Sequence, residues 1–139
     1  MNPKHDNLQS LLAYLRNYIP NFFEQTNIDL AIDFPDEVPA ITISPELKHN
    51  LFLVIKESLN NIVKHAAATT VKINFQFNGQ TFCFEITDNG KGIAGMNGRD
   101  FGNGLINMKN RMQTVNGTFE IASEINKGTN IRLKGTFSL

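Results

Sequence analysis

The 139-residue chain has a single cysteine, Cys83. That count excludes an internal disulfide and any metal site built from several cysteines, and it suits a reducing compartment. No apolar run is long enough to span a bilayer, and the first residues lack the apolar core of a secretion signal. Net charge is missing as well: 13 Lys and Arg balance 13 Asp and Glu. A domain without net positive charge has no overall pull towards nucleic acid or anionic membrane, so neither is an expected partner. The chain has no internal repeat and no low-complexity tract. It lacks G-x-x-x-x-G-K-[ST], G-x-G-x-x-G and G-x-S-x-G. Its three histidines, His5, His49 and His65, are far apart in sequence. Asp88-Asn89-Gly90 fails as a calcium loop because Gly90 takes a ligand position.

What is present fits one globular domain: 41% hydrophobic and 19% charged residues. Asp6 to Gln25 reads as a helix, with Asp6 as its cap, apolar residues at helical spacing from Leu8 to Phe23, and a kink or break expected at Pro20. Ile28 to Phe34 alternates like a short strand. Ser44-Pro45-Glu46 combines an N-cap, a first-turn proline and a first-turn acid, predicting a helix from there to about Ala66. Val71 to Asn78 alternates strictly, Asn78-Gly79 reads as a two-residue hairpin turn, and Phe82, Phe84 and Ile86 resume the apolar face. That turn pairs Phe75 with Phe82, Ile73 with Phe84 and Val71 with Ile86. Gly102 to Val115 reads as a third helix, and Thr118–Ser123 and Thr129–Phe137 as two last strands. The order predicts an α+β fold, a two-layer sandwich with helices on one face of a mixed, mostly antiparallel sheet.

Three stretches carry chemistry. By strand parity Asp88 lies on the apolar face, where a carboxylate is costly unless hydrogen-bonded. It either caps the following turn or serves as a fixed acceptor beside a slot lined by Gly90 and Gly92, suited to a flat donor such as an exocyclic amine. Glu57, Asn61 and His65 recur at i, i+4 and i+8, with Lys64 beside them. Such a stripe is either a solvated face or a place for hydrated magnesium at Glu57 and Asn61 and a phosphate at Lys64. Gly102-Asn103-Gly104-Leu105 falls at the predicted start of a helix, either an ordinary turn or an anion site made by free N–H groups. Ile93 to Phe101 before it is poor in apolar residues and reads as a mobile loop or lid.

In this order the stretches resemble the ATP-binding catalytic domain of sensor histidine kinases, in the superfamily shared with DNA gyrase and the mismatch-repair ATPases. Glu57 to His65 is similar to the N box. Asp88 to Gly92 resembles the first glycine box, Gly102 to Leu105 the second, and Gly128-Thr129 the late Gly-Thr pair. Gly104 to Met108 with Arg111 resembles the nitrate-sensor-like and degradation-sensor-like branch. The resemblance implies a Bergerat-type fold with ATP and Mg2+ as cofactors. It implies that Asp88 accepts from the adenine amino group, that Asn61 binds magnesium, and that Lys64 meets the phosphates with His65 lining the pocket. It further implies that Gly90, Gly92 and Ile93 line the adenine slot and that Gly102, Asn103, Gly104 and Leu105 lie by the phosphates. Thr129 would support Asp88, and Glu57 would be the general base. Residues 1–26 are then an N-terminal helix and linker following a dimerisation hairpin, with His5 in the linker, and 27–139 the catalytic domain. The implied partners are the hairpin bearing the acceptor histidine and a response regulator. The full-length protein would be a cytoplasmic homodimer, with or without a membrane anchor. Two other readings stay open: a stand-alone serine kinase of the anti-sigma-factor type, and an interaction module without catalysis.

Overall fold

The computed structural model describes residues 6–93 and 98–137, with 98–102 described by backbone alone. Helix α1 (Leu8–Phe23) is followed by strand β1 (Asp29–Asp33) and helix α2 (Pro45–Asn61). A π-helical turn, Ile62–Ala66, extends α2. Then come β2 (Thr70–Asn78), β3 (Thr81–Asp88), α3 (Gly98–Thr114), β4 (Thr118–Glu124) and β5 (Gly128–Thr136). The five strands form one mixed sheet in the order β1-β2-β3-β5-β4, with β1 parallel to β2 and the other pairs antiparallel. Alternate residues of β2 and β3 are buried, so one face carries the core and the other is polar. The core joins Leu8, Leu12, Leu15 and Ile19 of α1 and Leu51, Val54, Ile55 and Leu59 of α2 to Ile73, Phe75, Phe84 and Ile86 of the sheet.

The start of α2 follows the sequence. Ser44 Oγ accepts from the Leu47 N–H at 3.0 Å and Pro45 occupies the first turn, where its missing N–H costs nothing. At α1 the cap is Asn7, not Asp6: Asn7 Oδ1 accepts from the Ser10 N–H at 2.8 Å. Asp6 is drawn inwards, its carboxylate 3.3 Å from Lys48 Nζ on α2 and its carbonyl accepting from the Ile43 N–H. Of the kink or break expected at Pro20, a break does not occur, since α1 continues to Phe23. Pro20 and Arg16 are both exposed, so the Arg16 carbonyl that loses its helical partner lies within reach of water.

The β2–β3 hairpin turns on Gly79-Gln80, one residue later than Asn78-Gly79 predicts. Phe75 therefore pairs with Phe84, Ile73 with Ile86 and Val71 with Asp88. Gly79 holds φ +61° at the first loop position. Glycine there satisfies a turn that needs only one positive φ, whereas the expected turn would impose a second on Asn78.

Candidate active site

Directly paired residues form rows across the sheet. One row is Ile32, Ile73, Ile86, Ile131 and Ile121, one isoleucine from each strand. Two residues further along, towards the end of β3, the row is Leu30, Val71, Asp88, Thr129 and Ser123. The apolar layer thus gives way to three oxygen-bearing side chains. Asp88 and Thr129 are buried. Burial pushes the Asp88 carboxyl above its usual range, opposed by hydrogen bonds from the backbone N–H groups of Gly90 and Thr129. The Gly90 bond, to Asp88 Oδ1, is 2.8 Å. Asp88 therefore does cap the next turn, and its carboxylate oxygens, each with two lone pairs, keep capacity to accept from a ligand as well.

The loop after Asp88 is fastened at several points. Asn89 Oδ1 accepts from the N–H groups of Thr69 and Thr70 at 2.8 and 2.9 Å, and Asn89 Nδ2 donates to Thr69 Oγ1. The Lys91 N–H donates to the Ala66 carbonyl and the Lys91 carbonyl accepts from the Asn126 N–H, both at 2.7 Å. The glycines follow from this packing. A β-carbon on Gly90 would lie 2.2 Å from the Ala66 carbonyl oxygen, and one on Gly92 2.2 Å from that of Glu124. The sequence reading made room for a ligand the reason for both; in the structure the atoms they make room for are the protein's own carbonyls.

On α2, Glu57 is half-buried and Asn61 buried, one turn apart. Helix α3 crosses close to both: a β-carbon on Gly104 would lie 3.2 Å from Glu57 Oε1 and 4.0 Å from Asn61 Nδ2. Asn61 Nδ2 is buried without a hydrogen-bond partner among the described residues. Such a donor costs about 1–3 kcal/mol, so a ligand that satisfies it recovers that energy. A half-turn of the amide would present Oδ1 there instead, so the position fits a phosphate oxygen or a magnesium ion. Lys64 and His65 lie in the π-helical turn, Lys64 exposed and His65 half-buried. The i→i+5 turn changes their phase relative to Glu57 and Asn61, so the straight i, i+4, i+8 stripe does not continue to His65.

Helix α3 begins at Gly98, four residues before the expected start. The Gly102 N–H is thus within the helical ladder, and the free N–H groups belong to its first turn, Gly98 to Phe101. Asn103 is exposed and Leu105 packs against the core. Of the expected lid, residues 94–97 lie outside the described residues and Gly98–Phe101 are helical. His5 also lies outside them.

The structure therefore forms two groups: Asp88, Gly90, Gly92, Ile93 and Thr129 at the strand ends, and Glu57, Asn61 and Gly104 between α2 and α3. Ala66, closing the π-helical turn, joins them through Gly90 and Lys91. Sequence reasoning missed Asn89 as the clamp on Thr69 and Thr70. It also missed Ser123, although a turn at Asn126 to Gly128 already places Ser123 opposite Thr129.

Residues 46–137 match the family described as histidine kinase-, DNA gyrase B- and HSP90-like ATPases. The chain belongs to this family. Within it, the ATPase domain is 30% identical over 123 residues to the oxygen sensor histidine kinase NreB of Staphylococcus carnosus, covering 88% of this chain and 35% of NreB. It is 28% identical to the sensor histidine kinase LiaS of Bacillus subtilis, covering 86% of this chain and 32% of LiaS. The chain thus spans about a third of the length of the curated relatives it matches. The fold is that of the Erythrobacter litoralis EL346 blue-light activated histidine kinase (TM-score 0.73, 18% identity, 92% of this chain and 42% of that one). It is also that of the Acinetobacter baumannii histidine kinase AdeS (TM-score 0.71, 14% identity, 96% and 66%). This is a catalytic ATPase domain of the sensor histidine kinase type, and its family membership implies ATP binding. Among the described residues no helix is long and apolar enough to cross a membrane.

Proposed function

We propose that this domain binds ATP with magnesium and donates the γ-phosphoryl group to a histidine on a dimerisation domain of the same kinase, from which a response regulator receives it. The observation that carries this reading is the buried Asn61 Nδ2 beside Glu57, which has no hydrogen-bond partner among the described residues. Among the described residues this donor is left unsatisfied, where a phosphate oxygen would complete it.

In this reading Asp88 accepts from the exocyclic amine of adenine, and Thr129 supports it. The backbone of Gly90, Gly92 and Ile93 walls the base. Gly104 keeps α3 close to Glu57 and Asn61, with Gly102, Asn103 and Leu105 along the phosphates and Lys64 and His65 at the rim. Asn61 would hold the magnesium ion, which neutralises phosphate charge when bound. Glu57 would take the proton from the attacking imidazole nitrogen as that nitrogen bonds to phosphorus and the bond to the leaving ADP oxygen breaks. Residues 1–26 link the catalytic part, 27–139, to the hairpin. The full-length protein would be a homodimer working in the cytoplasm, anchored to a membrane or not.

Incubation with γ-labelled ATP tests the proposal. The chain alone should bind ATP and remain unlabelled. Adding the dimerisation hairpin as a separate polypeptide should yield acid-labile label on its histidine. Glu57→Ala should slow that transfer more than it weakens ATP binding. Acid-stable label on a serine of a copurifying protein would overturn the histidine-kinase reading in favour of a serine kinase. Absence of ATP binding by the folded chain would remove the enzymatic reading altogether.

A further inference from the structure

Ser123 has no role in the reading above, yet its hydroxyl lies where three parts of the site meet. Its Oγ accepts from the Ile93 N–H at 2.7 Å, lies 3.1 Å from Thr129 Oγ1, and is 3.3 Å from the Gly128 carbonyl. Thr129 is the direct partner of Asp88 across β3–β5, and Ser123 that of Thr129 across β4–β5. The serine is thus one hydrogen bond from the residue beside the buried carboxylate. It is also one bond from the backbone that ends the glycine loop.

A hydroxyl has one proton and two lone pairs. One lone pair of Ser123 is taken by Ile93. If its proton goes to the Gly128 carbonyl, Thr129 must donate to Ser123 and keeps only lone pairs to offer a ligand. If the proton goes to Thr129, Thr129 has its own proton to donate. In either arrangement Ser123 decides what the Thr129 hydroxyl presents beside Asp88, and in both it holds Ile93.

We infer that Ser123 is a positioning residue for the base-binding end of the site. It sets the polarity of Thr129 and fixes the Ile93 backbone relative to Asp88, and so contributes to selection of a base carrying an exocyclic amine. The inference rests on the ATP-binding reading.

Ser123→Ala and Ser123→Thr test it, with ATP and inosine triphosphate (which lacks the amine) as probes. Ser123 is exposed on an edge strand, so both variants should fold; should the alanine variant not fold, Ser123→Cys takes its place. In nucleotide-free protein, hydrogen exchange at the Ile93 amide should quicken in Ser123→Ala while the Asn126 amide stays protected. Loss of one neutral hydrogen bond corresponds to roughly a fivefold weakening of ATP binding, with inosine triphosphate changed less than about twofold. Ser123→Thr should restore both properties. Unchanged Ile93 exchange, an equal loss for both nucleotides, or a threonine variant as impaired as the alanine one would overturn the inference. Failure of wild-type protein to bind ATP would instead defeat the proposed function, so the two failures are distinguishable.

Discussion

Asp88 stands directly opposite Val71 across the β2–β3 ladder, an acid paired with a buried aliphatic side chain. A carboxylate there loses hydration that two backbone N–H groups only partly replace. The position stabilises little by itself, yet it holds an acceptor rigidly at the end of a packed sheet. Such fixed acceptors serve recognition, since no reorganisation is needed when a donor arrives.

Asp88→Asn should weaken ATP binding about tenfold to a hundredfold, because a hydrogen bond to a charged group contributes roughly 1.5–3 kcal/mol. Calorimetry on the folded variant measures this. Unchanged affinity would sink the adenine assignment.

The pH dependence follows from the same group. Its folded-state pKa is raised above the ordinary 3.8, so ionisation costs folding free energy. The stability linked to the protonated form is fully present below 3.8 and lost as pH rises through the folded-state value. ATP binding has the opposite trend, since the ionised carboxylate accepts from an amine more strongly than the protonated acid does. Affinity should fall, on acidification, at a higher pH than an ordinary aspartate would give, and Asp88→Asn should flatten that limb. Titrations across the acid range, paired with denaturation at each pH, test both signs.

Asn61→Ala should reduce the magnesium dependence of ATP affinity. It should also cost the free protein little stability, because among the described residues Nδ2 makes no bond that the substitution would break. Coupling equal to wild type in titrations with and without magnesium would show that Asn61 is not a ligand.

Gly90→Ala should destabilise the nucleotide-free fold by about 1–3 kcal/mol, the usual range for overpacking. The added carbon would lie 2.2 Å from the Ala66 carbonyl oxygen, and backbone cannot swing aside as a side chain can. Urea denaturation with unchanged m-value reads the effect. A variant that loses nucleotide affinity at full stability would return Gly90 to the simpler role of making room for the ligand.

The sequence by itself determined the elements and the face on which Asp88 lies. Apolar alternation in Val71–Asn78, the Ser44-Pro45 helix start and the order of the glycine stretches are local signals, read within a few residues. The face of Asp88 survived the error in the hairpin turn because moving the turn by one residue shifts pairing by two, and side chains alternate with period two. Tertiary structure decided what depends on contacts between distant segments. The register followed from which residue could carry the positive φ at Gly79. The cap of α1 passed to Asn7 because Asp6 found Lys48 on another helix. The π-helical turn, the early start of α3 and the crowding of Gly90 and Gly92 by Ala66 and Glu124 have no local signature. The junction at Ser123 needs β4, β5 and the glycine loop in place at once, so it exists only in the folded chain.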